Sequence, residues 1–502
     1  MNGRGLGPAA GRALVRLTVR SRLIAGSLPW AIGPPSTRSD LVRGSAENFP
    51  IDHPCNRMAV DAMKGTSLLP WVRCSTAADR IASVSLARKP GCCHRVLAYC
   101  PDEKKGRVTT AANPLTDLFP ALEAIASHAS GVVPATGQAI LDLQRPDQDE
   151  MYDRVHLGPE AGSVLRAAIE SESGTAYRQV HPVHRRQRTV FRYFLDGSAH
   201  TYYLGNVIEN ERHSAVHLAQ IGAAALRRDD LGRVQVADGR RTLLVMLHKS
   251  ALSDALFEAT ADACRQVDPS GQRIRLLDSG DDDAFTAGVQ AAKEPRSRAA
   301  HRANWQMRLL ERAIAASLAE GLAEGDAGEW LVVDGSLGNE YVTDWKHSHW
   351  AHIGVIKSTW KGMRFEIGTG RRREVVNIFR LLVDLPPESR TLAFGLREGK
   401  LATWFVRLRG PDKLDFPLMG TLRVEMPNPS GGPIPTELID ELSGALIAER
   451  TETPYGRDDR WHSHLYPIWL TERSITNSLF LTESALKAAL RWPFAKILGG
   501  AA

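Results

Sequence analysis

The sequence predicts an α/β protein: a mixed sheet flanked by helices, behind a poorly ordered N-terminal extension. Three observations carry that prediction. Short apolar runs rich in β-branched and aromatic residues alternate with helical periodicity from about residue 114 onward. Residues 1–110 are punctuated by Gly, Pro, Ser and Arg without a sustained period. Hydrophobic content of 43% and charged content of 24% are those of a globular chain. No apolar run reaches the roughly 18 residues that cross a bilayer, so no membrane partner is expected.

The net charge of +6 suggests a polyanionic partner, but it is unevenly placed. Residues 1–110 hold 17 Lys/Arg and 7 Asp/Glu, and the remainder holds 46 and 50. The basic excess therefore belongs to the extension and says little about DNA binding by the folded part. Arg4, Arg12, Arg16, Arg20 and Arg22 precede the first acidic residue, Asp40. This resembles a transit-type segment without the apolar core of a secretory signal. The plainer expectation is a disordered extension or a start placed too far upstream. Cys55, Cys74, Cys92, Cys93 and Cys100 lie there, and Cys264 lies beyond. No Cys-x-x-Cys pair exists, which favours unpaired thiols in a reducing cytoplasm over a zinc site.

The elements follow in order. Leu118, Leu122 and Ile125 share one face of a helix over 114–130, and a second helix is expected over 162–173. A strand over 189–196 should turn at Gly197-Ser198 into a second strand over 200–208. A third strand is expected over 241–248, a long helix over 297–321, and strands over 329–336 and 349–358. Pro386-Pro387 should stop a helix over 374–385. Strands over 401–409 and 420–427, a helix over 435–450 and a last helix over 482–492 complete the chain. The expected divisions are an extension over 1–110, a helical segment over 111–185, a sheet-bearing domain over 186–485 and a tail over 486–502.

Two strands end in Asp-Gly-Ser, at Asp196 and Asp334. Asp-Gly is ordinary turn chemistry, but a buried strand would hold its terminal side chain rigidly. Met307, Leu310, Ile314 and Leu318 define the apolar face of the helix between them, and Glu311 points to the same face. A carboxylate there is costly unless paired or bound to a metal. Three strands, a helix and a fourth strand, with acids on the first strand, the helix and the fourth strand, is the order of the ribonuclease H-like fold. In that fold the three acids converge and can hold two divalent ions. Oxygen-only ligands suit Mg²⁺ or Mn²⁺.

The same residues carry a resemblance. "FLDGS", "MRLLERAI", "LVVDGSL", "HIGVIKS", "ATWFVRLR" with "GTLRVEMP", and "YPIWL" occur in an order that resembles the NurA nuclease family, over roughly residues 185–480. The resemblance implies a NurA-like nuclease domain in which Asp196, Glu311 and Asp334 bind metal. Lys357 would stand beside the scissile phosphate or balance the acidic cluster, and Tyr466 would fall in the C-terminal motif. It further implies a two-metal Mn²⁺ or Mg²⁺ deoxyribonuclease, with 5′→3′ exonuclease and single-strand endonuclease activity. The implied partners are DNA, a second copy of the chain and a HerA-type hexameric ATPase, in end processing, repair or defence. Arg185, Arg186, Arg188 and the run Arg371–Arg373 would guide DNA by its phosphates. One departure stands out: the family's Ala-His after Tyr-Pro is missing, and His462 and His464 lie upstream instead, where either could occupy its space, although so polar a segment is more often exposed. His347, His349 and His352 near Asp344 read as a solvated loop entering a strand. A non-catalytic module of the same fold, docked on an ATPase, is the alternative.

Overall fold

The computed structural model describes residues 114–135, 157, 162–166, 169–170, 175–183, 190–280, 295–321, 329–338, 351–368, 370–410, 418–452, 461–489 and 492. All belong to one compact unit, Cys93–Ala502. The expected extension, with its five cysteines, lies outside the described residues, as do Arg185, Arg186, Arg188, Asp344, His347 and His349.

Helix α1 (Pro114–His128) leads into β1 (Gly131–Pro134). Next come β2 (Val164–Arg166) and β3 (Tyr177–Gln179), short strands in the stretch expected to be helical. The helix expected over 162–173 is not formed, because β2 pairs with a strand some 200 residues later and Glu170 makes a bridge with Ile434. Long-range pairing overrides the local helical pattern there.

Strand β4 (Phe191–Glu209) runs straight through Asp196-Gly197-Ser198. The hairpin turns instead at Asn210, whose φ of 55° is one that asparagine tolerates, and returns as β5 (Arg212–Arg228). Asp196 pairs with Ala224 and Gly197 with Ala223, so the Asp-Gly signal is overridden by sheet pairing. Strand β6 (Val234–Leu247) is antiparallel to β5. Helix α2 (Asp254–Val267), capped by the Ser253 hydroxyl on the Leu256 amide, and β7 (Ile274–Asp278) then add a parallel strand beside β6.

Helix α3 (Pro295–Gly321) lies across β4, β5 and β6. The small Ala299 and Ala303 meet Ala219, Ile221, Leu244 and Met246, which lets helix and sheet approach closely. Strand β8 (Trp330–Asp334) is parallel to β4, and β9 (His352–Ile356) is parallel to β8. A small sheet follows from β10 (Arg364–Ile367) and β11 (Glu374–Asn377) with β2. The helix expected over 374–385 is thus shortened. Val375-Val376 extend as strand, and the Asn377 side chain caps α4 (Ile378–Val383) on the Arg380 amide.

Strands β12 (Ser389–Thr391), β13 (Phe394–Leu396), β14 (Leu401–Arg407) and β15 (Thr421–Pro427) close the large sheet. Its order is β3-β12-β14-β15-β9-β8-β4-β5-β6-β7, with β1 added on β4 and β13 on β14. Helices α5 (Thr436–Ala448), α6 (Tyr466–Ser478) and α7 (Glu483–Ala489) end the described chain. The protein is therefore a mixed α/β structure with a large sheet flanked by helices. No helix among the described residues is long and apolar enough to cross a membrane.

Period-two alternation splits the core between the two faces. Leu195, Leu331 and Val333 pack with Ile314 and Ala315 of α3 on one face. Phe194, Val332 and Ile353 pack with Trp404, Leu442 and Leu446 on the other. Burying each such side chain stabilises the fold by about 1.5–3 kcal/mol. The central strands are consequently rigid on both sides, which fixes what stands at their ends.

Candidate functional site

Three adjacent parallel strands deliver three charged side chains to one edge. Leu195 pairs with Val333 and Asp334 with Val355, so Asp196 is level with Asp334, and Lys357 follows two residues after Val355. Alternation puts all three on the face of Phe194, Val332 and Ile353, opposite α3. Lys357 Nζ lies 2.7 Å from Asp334 Oδ2, and both side chains are largely buried.

Glu311 arrives from the other face. It is buried on α3 as its spacing predicts. A Cβ built on Gly197 would stand 2.7 Å from Glu311 Oε1 and 2.8 Å from the Met307 side chain. Gly197 is therefore a gap on the helix-facing side of the strand, filled by the Glu311 carboxylate one residue along from Asp196. The two Asp-Gly-Ser copies do different work. In the first, glycine lies mid-strand and makes room. In the second, Gly335 takes φ +107° and turns the chain, while its N–H donates to the Val355 carbonyl at 2.8 Å.

The loop after Asp334 is fixed from below. The Leu337 N–H donates to Glu425 Oε2 at 2.8 Å, and Arg423 donates to Glu425 Oε1 at 3.0 Å. Both residues of that pair are fully buried, as are Arg390 and Arg407. The late-strand arginines therefore hold the core together: Arg390 clasps Glu170 at 2.7 Å and Asp440 at 2.6 Å, and Arg407 donates to the Leu382 carbonyl. Arg371, Arg372 and Arg373 are exposed, and Arg373 lies 3.4 Å from Glu366.

Burial pushes the Asp196 carboxyl well above its ordinary range. Asp334 raises it further, Lys357 opposes, and Glu472 and Glu311 add to the rise. Glu311 moves from 4.5 to about 7, by burial first, with Arg308 opposing and Asp334 reinforcing. Glu311, at about 7, is therefore partly protonated near neutral pH.

The donors are oxygens only, which fits Mg²⁺ or Mn²⁺. As they stand, the carboxylates are neighbours and not a closed shell. Among the described residues, no three His, Cys, Asp or Glu side chains already form a metal-ready group.

Glu472 on α6 was not anticipated. That helix packs on β4 and β5, and its acid pushes the Asp196 carboxyl up. Its six-residue offset from Tyr466 was the available signal. Tyr466 itself opens α6 half-exposed and stacks on Trp469 with ring centroids 5.7 Å apart. It is not joined to the carboxylates by any hydrogen bond described for them. His462 and His464 are buried, not exposed, and the Gly420 N–H donates to His462 Nδ1 at 2.9 Å. His352 is buried at the start of β9. Cys264 is a buried free thiol that burial pushes up to about 12.

Compared with models of known protein families and with curated protein sequences, the chain matches none.

Proposed function

We propose that this chain is a Mn²⁺- or Mg²⁺-dependent DNA nuclease of the NurA type, with Asp196, Glu311 and Asp334 as its metal-binding acids. The observation that carries the reading is that Glu311 fills the space beside Gly197, next to Asp196, and that Asp334 and Glu311 both push the Asp196 carboxyl up. A structural role alone gives no reason to gather buried acids from two strands and a helix that repel one another. The strand order β6-β5-β4-β8-β9, antiparallel through β4 and parallel across β4, β8 and β9, supports the finer reading of the sheet as ribonuclease H-like.

When bound, a divalent pair at such acids activates water and stabilises the leaving oxygen of a phosphodiester. The chain's own groups set the stage. Asp196 Oδ1 accepts the Gly197 N–H at 2.8 Å, which orients its carboxylate. Lys357 holds Asp334 through Oδ2 and supplies positive charge where an anionic phosphate must approach. The burial of Asp196 and Glu311 keeps bulk water from competing for their oxygens.

In this reading the enzyme acts as a 5′→3′ exonuclease and single-strand endonuclease in the cytoplasm, as a homodimer fed by a HerA-type translocating ATPase. The purified full chain, given single- and double-stranded DNA with Mn²⁺, should degrade it, and Asp334→Ala should not. Equal degradation by both, or by neither, contradicts the proposal. The open spacing of the acids favours one second reading, a non-catalytic module of the same fold that docks on an ATPase. Under that reading Mn²⁺ leaves the melting point unchanged.

A further inference from the structure

Beyond Asp196, the same face of β4 continues into a cleft that the nuclease reading does not use. Ser198, His200 and Tyr202 follow Asp196 on its side of the sheet, and His200 lies about 13 Å along the strand. The cleft is about 350 Å³, lined by His200, Tyr202, Thr476, Phe480, Thr482 and Glu483. His200 and Phe480 meet edge to face, with centroids 5.2 Å apart and planes at 74°. This volume is within the range of small-molecule sites.

The Phe480 ring is placed with care. It lies over Gly222, the cross-strand partner of Ser198, which is two residues from Asp196. A Cβ on Gly222 would stand 2.8 Å from the ring and 2.9 Å from Ile475. The loop carrying the ring is pinned on both sides. The fully buried Gln220 donates to the Leu481 carbonyl at 3.0 Å and accepts the Leu481 N–H at 2.8 Å. Arg241 donates to the Leu479 carbonyl at 2.8 Å. Ordering this aromatic edge is thus done by folding and not left to the ligand.

We propose that this cleft receives a nucleobase of the strand being cut, a nucleotide or two from the scissile phosphodiester. The inference rests on the nuclease reading and adds where the neighbouring nucleotide goes. The His200 and Phe480 rings offer π surface to a base. Stacking tolerates any base, as suits an enzyme that holds phosphates without reading sequence. The cleft also requires an unpaired base, so it selects single strands or frayed ends.

The test uses the full chain with metal chelated, so that binding is read without cutting. The probe is a single-stranded DNA oligonucleotide carrying 2-aminopurine, followed by anisotropy and by fluorescence quenching on stacking. Wild type should bind and quench. Phe480→Leu, which keeps apolar volume over Gly222, should bind roughly 5- to 100-fold more weakly without quenching, the range for one lost base stack. Phe480→Trp should retain both, and the Mn²⁺-induced melting shift should be unchanged in both variants. Binding and quenching by Phe480→Leu equal to wild type overturns the proposal, as does wild type that binds no oligonucleotide. If wild type binds and quenches but never cuts with Mn²⁺, the nuclease reading fails while the base cleft stands. If wild type and Phe480→Leu cut and bind alike, the cleft fails while the nuclease stands.

Discussion

Replacing Glu311 by glutamine keeps the side chain's shape in the Gly197 gap and removes its charge. The consequence for stability can be worked through. The carboxyl is raised from 4.5 to about 7 in the folded protein, so the folded state binds this proton more tightly than the unfolded state. Its ionisation therefore destabilises the fold. The loss begins as pH rises past 4.5 and is complete above about 7. At about 1.4 kcal/mol per pH unit, the difference amounts to about 3 kcal/mol at pH ~8. Metal-free Glu311→Gln should thus melt higher than wild type at pH ~8, by on the order of 5 °C, and the gap should close towards pH ~4.5. Differential scanning fluorimetry in EDTA across that range measures it. Adding Mn²⁺ should raise wild type more than the variant, because the ion binds only the folded carboxylate cluster. A variant less stable than wild type at pH ~8, or a gap that does not change with pH, refutes the reasoning.

Two further substitutions probe neighbouring contacts. Gly197→Ala places a methyl 2.7 Å from Glu311 Oε1, so the carboxylate must withdraw. The variant should lose about 1–3 kcal/mol of stability by overpacking and most of its Mn²⁺-dependent melting shift, read in one fluorimetry titration. Lys357→Gln removes the cation 2.7 Å from Asp334, which should destabilise the fold and abolish DNA cleavage. Urea melts check the first effect and a gel assay the second.

Much of this arrangement is legible in the chain. Glu311 follows helical spacing to the buried face, and Asp334 ends an apolar strand, so periodicity alone places both. Asp196 is also found, but for a partly mistaken reason. Its Gly197 reads as a turn because local propensity cannot know that Ala223 will pair across from it. The strand return over 212–228 is missed because its alanine-rich run has no strong β signature, and only the sheet on both sides makes it a strand. Glu472 is missed for another reason. It sits among ordinary helical residues, and its importance comes from α6 packing on β4, a contact about 275 residues distant that no local pattern encodes. The buried His462 shows the converse. A polar neighbourhood suggests exposure, yet the Gly420 amide supplies the partner that makes burial tolerable.

The most direct test is calorimetric titration of the full chain with Mn²⁺ at pH ~6.5, just below the value of about 7 that Glu311 reaches, in two buffers of different ionisation heat. If Asp196, Glu311 and Asp334 form one divalent-metal site, wild type binds about two ions and releases protons as they enter. Asp196→Asn then loses most of the binding and the proton release with it. Absence of binding in wild type, or identical titrations for wild type and Asp196→Asn, contradicts the assignment.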